Sequence, residues 1–303
     1  MLISYKVVLL EELLVIEKSL IMGYCNGVAH VIEIAQECLR IAKENNLPAY
    51  SIGWFIHNPN VVKRFADAGM QHIDRPEDNR PGVALIRAHG IGDPLRAEFI
   101  EAGFKLLDGT CGTVAYSQRI IRTSNPDWHV VIAGLPGHSE VDALSHVWNS
   151  HKEIVPVSVI ETVEDVDNLP SFGNETVMFM TQTTFPIIQY DLLKGHMEAK
   201  YGTRLQMGNR LCPTTSRRLE AINILCTKVD AVIVIGGKMS ANTMALVHVV
   251  EKNGLPVWHI EDAREIPQEV FTYERVGITA GTSTPPEDID AVYDALKSGA
   301  SDE

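Results

Sequence analysis

The chain has 303 residues, of which 45% are apolar and 21% charged, enough to bury a sizeable core in one to three globular domains. Its net charge of −13 argues against nonspecific nucleic-acid binding, because phosphate neutralisation needs clustered Lys and Arg. An odd count of five cysteines does not make a disulfide scaffold, and the N-terminal stretch MLISYKVVLLEELLVIEKSL has neither a cleavage site nor an apolar run long enough to span a bilayer, so a cytoplasmic protein is expected.

One short unit recurs three times: a strand running into a cysteine that opens a helix. The first copy, LVIEKSLIMGYCNGVAHVIEIAQECL, centres on Cys25. After its helix come the strand PAYSIG, ending at Gly53, and the pair Asn58–Pro59, an N-cap and N1 pair opening a helix that stops at Gly69. A short strand (MQHID), a loop rich in Pro and charge, and the apolar strand VALIRAHG follow. Asp93 and Pro94 are expected to cap the next helix, which ends at Gly103.

FKLLDGT then leads to Cys111, the centre of the second copy. Behind it stand the strand HVVIAG, ending at Gly134, and LPGHSEVDALSHVW, where Ser139 is the expected N-cap. EIVPVS and TVMFMTQTTFPIIQYDLLKGHMEAKYG continue to the third copy, TRLQMGNRLCPTTSRRLEAINIL, centred on Cys212. AVIVIGGKMSANTMALVHVVEKNG, PVWHIED and RVGITAGTSTPPEDIDAVYDAL complete the series, with Ser283 or Thr284 as the expected cap and Pro285 at N1.

Strands alternating with helices of this length indicate parallel sheets built from βα units. The recurrence makes the fold class α/β, with three similar α/β units arranged in pseudo-threefold fashion around a central metal cluster. The units span residues 13–111, 112–209 and 210–303, and the last lacks a closing strand that the segment before Cys25 can supply. One doubly wound sheet is the alternative.

Each repeat cysteine sits at the carboxyl end of a strand, where open α/β structures place ligands. Cys38 and Cys226 lie along the helix behind their repeat's cysteine, about 20 Å away at ~1.5 Å per residue, and read as buried small hydrophobes. No CxxC or HExxH occurs, so the metal reading rests on equivalent placement. Three thiolates without a fourth suit an iron–sulfur cluster with an open iron or a three-cysteine zinc site, and a metal-free protein is the third alternative.

His57, His89 and His138 stand at strand ends, and the matching turns carry Thr183, Thr184, Ser240, Asn242 and Ser283. Most of these open helices, so imidazoles, hydroxyls and an amide share space with helix N-termini, as a phosphate or diphosphate pocket requires. Singly, each residue also reads as a cap or a core group; their recurrence at one position of each repeat is what raises the set. Neither GxxxxGK[ST] nor GxGxxG occurs, which leaves nucleotide chemistry unsupported. Glu140 is the one carboxylate near this ring, and beside imidazoles and a phosphate it is the candidate proton donor.

GYCNGV, RAHG, DGTCGTV, GHSEV, MTQTT, LCPTTSRR, GGKMSAN and TAGTS, in this order, resemble the 4-hydroxy-3-methylbut-2-enyl diphosphate reductase family, from about residue 20 to about residue 295. Those enzymes take the last step of the methylerythritol phosphate route to isoprenoids. The resemblance implies a [4Fe-4S] cluster on Cys25, Cys111 and Cys212, with the fourth iron open. It implies a diphosphate held by His57, His89, His138, Thr184, Ser240, Asn242 and Ser283, with Thr183 on the substrate hydroxyl and Glu140 supplying protons. The reaction implied is a two-electron reductive dehydroxylation to isopentenyl and dimethylallyl diphosphates, with ferredoxin or flavodoxin as electron donor and with no nucleic-acid or membrane partner.

The sequence departs from that family in places. An adjacent serine pair is here Ser240 and Ala241, so one hydroxyl donor is missing, a loss of roughly 1–3 kcal/mol in a desolvated site. Met239, Met244 and Ala245 replace residues that are usually polar or basic, and Ser139 and Gly112 stand where proline is usual. A paralogous iron–sulfur reductase or dehydratase for another oxygenated substrate is therefore the alternative function, and a non-catalytic cluster-binding protein is a third.

Overall fold

The computed structural model describes residues 14–56, 58–76, 80–238 and 240–299. The described residues begin with strand β1 (Val15–Lys18) and helix α1 (Asn26–Glu44). Then follow β2 (Ala49–Ile52), α2 (Pro59–Asp67), β3 (Met70–Ile73), β4 (Val83–Ile86), α3 (Asp93–Glu101) and β5 (Lys105–Asp108). The next stretch holds α4 (Gly112–Arg122), β6 (His129–Ala133), α5 (Ser139–Ser145), β7 (Val157–Ile160), α6 (Val163–Asn168), β8 (Val177–Thr181), α7 (Ile187–Tyr201) and β9 (Leu205–Met207). Finally come α8 (Pro213–Cys226), β10 (Ala231–Ile235), α9 (Ala241–Lys252), β11 (Val257–Ile260), β12 (Arg275–Ala280) and α10 (Pro286–Gly299).

The strands form three parallel four-stranded sheets in the orders β3-β2-β4-β5, β7-β6-β8-β9 and β11-β10-β12-β1. One connectivity is thus used three times, and N-terminal β1 occupies in the third sheet the place that β5 and β9 hold in the others. The described residues fall into two compact units, those of Cys25–Ser216 and those of Met1–Tyr24 with Arg217–Glu303. The larger carries two sheets and the smaller carries one. No helix among the described residues is long and apolar enough to cross a membrane.

The central strands are continuous apolar runs because both their faces are covered by helices, as parallel sheets require. All residues of β4, β8 and β10 are buried. Helix α1 turns Val31, Ile32, Ala35, Cys38 and Ala42 to its sheet, at the spacing of one helical face. Complete burial of a side chain such as Phe99 or Leu85 contributes about 1.5–3 kcal/mol each.

Three helix starts differ from expectation. Asp93 is the first residue of α3 rather than its cap: Gly92 takes that position, and the Asp93 carboxylate instead accepts from Arg122 at 2.9 Å and from the Trp148 N–H at 2.8 Å. Ser139 is likewise the first residue of α5, because His138 caps that helix with its ring. Helix α10 starts at Pro286, one residue later than expected, and the Thr284 hydroxyl donates to the Ile235 carbonyl. For Asp93 and Thr284 the polar side chain has a tertiary partner in place of the local cap.

Candidate active site at the strand ends

In each sheet the chain leaves the first strand (β2, β6, β10) towards one edge and the third (β4, β8, β12) towards the other. The crevice at the carboxyl ends of these neighbouring strands is the topological switch point, where open α/β sheets bind ligands. The expected polar residues sit there. His89 follows β4, His138 and Glu140 follow β6, and Thr183 and Thr184 follow β8. Ser240 and Asn242 follow β10, and Ser283 follows β12. His57, in the turn after β2, lies outside the described residues, as does Met239.

The cysteines follow the fourth strands. Cys25 is the N-cap of α1, where its Sγ accepts from the Val28 N–H at 3.4 Å; Cys111 is the N-cap of α4; and Cys212 immediately precedes α8. None of the five cysteines forms a disulfide. The three repeat cysteines are half-buried at helix N-termini. Cys38 and Cys226 are buried, and burial pushes the Cys38 thiol up to about 11 and raises that of Cys226. That contrast separates candidate ligands from inert core thiols.

A run of contacts within the Cys25–Ser216 unit connects the predicted residues. A Cβ placed on Gly27 would lie 2.6 Å from Cys111 Sγ, so the glycine lets that thiol reach the first turn of the helix that Cys25 caps. The Cys111 N–H donates to the Ala88 carbonyl, next to His89. The His89 and His138 rings meet edge to face, 5.3 Å between centroids. His138 Nδ1 accepts from the Glu140 N–H at 3.1 Å, which places the proton of a neutral ring on Nε2. Glu140 receives the Thr183 N–H on Oε1 at 2.7 Å and the Thr183 hydroxyl on Oε2 at 2.9 Å. The Thr183 carbonyl accepts from the Cys212 N–H at 2.7 Å.

Glu140 is 1% exposed. Burial pushes its carboxyl up to about 7 even though both Thr183 donors favour the ionised form. A carboxyl held at that value exchanges a proton readily at neutral pH.

Sequence reasoning missed the amides that support this run. Gln182, 2% exposed, accepts the Leu135 N–H at 3.0 Å and donates to Thr184 Oγ1 at 3.1 Å, pinning the β6–α5 turn to the β8 turn. Asn209, ahead of Cys212, accepts the Thr181 N–H and donates to Ser117 of α4 at 2.8 Å. Gln118 donates to the carbonyls of Ile91 and Ala143. Their neighbours in the sequence (MTQTT, MGNRL, AYSQRI) are as polar as an ordinary turn or helix surface, which does not separate a support from an ordinary polar residue.

In the smaller unit, Ser240 caps α9, its hydroxyl accepting the Thr243 N–H at 3.3 Å, and Ser283 is buried at the end of β12. A Cβ on Gly281 would lie 2.2 Å from the Thr243 hydroxyl, so the turn after β12 packs directly on the first turn of α9.

Among the described residues no three His, Cys, Asp or Glu side chains form a group that would hold a metal ion. Half-buried thiols at three helix N-termini, with Cys111 Sγ lying against Gly27 in the helix that Cys25 caps, are the donor type of an iron–sulfur group.

The LytB protein family matches residues 16–297. The 4-hydroxy-3-methylbut-2-enyl diphosphate reductase of Treponema denticola is 33% identical over 291 residues, covering 94% of this chain and 100% of that protein. The enzyme of the same name from Caldanaerobacter subterraneus subsp. tengcongensis is 35% identical over 292 residues, covering 95% and 97%. Among solved structures, the E-1-hydroxy-2-methyl-but-2-enyl-4-diphosphate reductase of Plasmodium falciparum superposes with a TM-score of 0.77 at 25% identity, covering 92% of this chain and 87% of that one. A second reductase structure, described as the terminal enzyme of the non-mevalonate pathway, gives 0.76 at 30% identity, covering 94% and 100%. The match over nearly the whole length, with the sheets found here, places the chain in the LytB family of oxidoreductases.

Proposed function

We propose that the protein reduces 4-hydroxy-3-methylbut-2-enyl diphosphate to isopentenyl and dimethylallyl diphosphates in the cytoplasm, with electrons from a ferredoxin or flavodoxin. Cys25, Cys111 and Cys212 would hold a [4Fe-4S] cluster, in a chain of three α/β units over residues 13–111, 112–209 and 210–303. When bound, that cluster supplies electrons and an open iron for the substrate hydroxyl. His57, His89, His138, Thr184, Ser240, Asn242 and Ser283 bind the diphosphate.

The observation that carries this reading is the buried Glu140 carboxyl, tied through Thr183 to the turn that bears Cys212. Protonated Glu140 donates to Thr183 Oγ1, and the threonine hydroxyl turns its own hydrogen to the substrate hydroxyl, which leaves as water. The amide of Glu140 fixes the His138 tautomer so that Nε2–H is presented as a donor.

The test is turnover of this diphosphate by anaerobically reconstituted protein with a chemical reductant, with absorbance confirming the cluster. Rapid conversion to the two five-carbon diphosphates is expected. A loaded cluster without conversion sinks the proposal. Ala241, where a second serine hydroxyl is usual, favours one other reading: a paralogous cluster reductase or dehydratase for a different oxygenated substrate. Under the first reading Ala241→Ser gains several-fold in kcat/KM with the isoprenoid diphosphate; under the second it gains nothing.

A further inference from the structure

The residues proposed to hold the diphosphate are imidazoles, hydroxyls and an amide, and none carries a permanent positive charge, since histidine ordinarily titrates near ~6.5. A diphosphate is strongly anionic, and the chain itself carries −13. A cation at the site adds to the attraction that helix N-termini supply, and the end of β4 holds one that sequence reasoning left aside.

Arg87 leaves β4 two residues before His89 and is half-buried. Its Nε donates to the Gly90 carbonyl at 3.2 Å, in the turn after β4. Its Nη1 lies against the turn after β2, where a Cβ on Gly53 would come within 2.3 Å of it. Gly53 and Gly90 have φ of +70° and +72°, a conformation that favours glycine, and the bare backbone at Gly53 makes room for the guanidinium. Arg87 thus spans the switch-point crevice between β2 and β4, touching both turns that border it.

Among the described residues this guanidinium forms no ion pair, and its one hydrogen bond uses Nε. Burial lowers its pKa, while Asp74 and Asp142 act on it only at longer range and are themselves engaged by His72 and His146. A partly desolvated charge without a carboxylate partner is costly, and an anion arriving in the crevice relieves that cost. The planar fork of Nη1 and Nη2 suits two phosphate oxygens at once.

We propose that Arg87 is the anion anchor of the substrate pocket, a fixed positive charge that selects a diphosphate and tethers it beside His89. This inference rests on the diphosphate reading of the site. The test compares the reconstituted wild-type enzyme with Arg87→Gln and Arg87→Lys, measuring calorimetric binding of inorganic diphosphate at low and high salt together with kcat and KM.

Arg87→Gln is expected to weaken inorganic diphosphate roughly tenfold to a hundredfold, to raise KM with kcat within a few-fold, and to flatten the salt dependence. Arg87→Lys should keep the salt dependence but lose affinity several-fold, because an ammonium does not reproduce the two-pronged contact. Equal diphosphate affinity and salt dependence in Arg87→Gln and wild type overturn the proposal. Should Arg87→Gln lose its near-UV circular dichroism, Arg87→Lys decides, and affinity equal to wild type overturns the proposal. Arg87-dependent diphosphate binding without turnover of the isoprenoid substrate supports the anchor and sinks the functional reading alone.

Discussion

Burial holds the Glu140 carboxyl near neutrality against two hydrogen bonds that favour its ionised form. A carboxyl raised on folding from the ordinary 4.5 to about 7 keeps its proton in the native state where the unfolded chain has already lost it. Its contribution to stability is therefore full below pH 4.5 and is lost as pH rises towards 7, beyond which the buried anion costs about 3 kcal/mol. Turnover should fall as pH rises through about 7, because the proton donor is then spent. Glu140→Gln should retain the cluster absorbance, remove this slope from denaturant midpoints measured across that range, and lower kcat about 100-fold or more. Unchanged turnover would remove Glu140 from the mechanism.

Helix α1 shows how an element places a ligand. Cys25 caps it, and Gly27, in its first turn, is where the Cys111 thiol comes to rest. Gly27→Ala puts a methyl group 2.6 Å from that sulfur and must push the two turns apart. We expect reconstituted Gly27→Ala to retain well under half of the wild-type iron, while Cys38→Ala, changed on the buried face of the same helix, retains all of it and loses only stability. Iron analysis and visible absorbance check both. The elements themselves were legible because β2, β6, β10 and β12 are runs closed by a glycine and the long helices keep an apolar stripe. Placement of the cysteines at helix starts followed from the same pattern. The caps at Gly92 and His138 were not legible, since Arg122, Trp148 and the His138 ring decide them through the fold. Nor were Gln182, Asn209 and Arg87, because a polar residue at a strand end has no spacing that distinguishes a solvated group from one turned into the site.

At the scale of the whole molecule, the three sheets share one strand order, and the third borrows its outer strand from the other end of the chain. Val15 pairs with Arg275 and Lys18 with Ile278, a separation of about 260 residues, whereas every ladder of the other two sheets joins strands close in sequence. Closing so long a loop is the slowest kind of contact to form, so β1 is expected to dock after the other sheets are complete. Pulsed hydrogen exchange during refolding checks this: amides of β4 and β8 should gain protection before those by which β1 and β12 bond to each other. The same pairing orders events at the ribosome. The Cys25–Ser216 stretch emerges as one continuous length and can complete its two sheets while the remainder is still being made. Strand β1 leaves the tunnel before the strands of the other two sheets and must wait until β12 has been made, so a strand synthesised before them is placed after them.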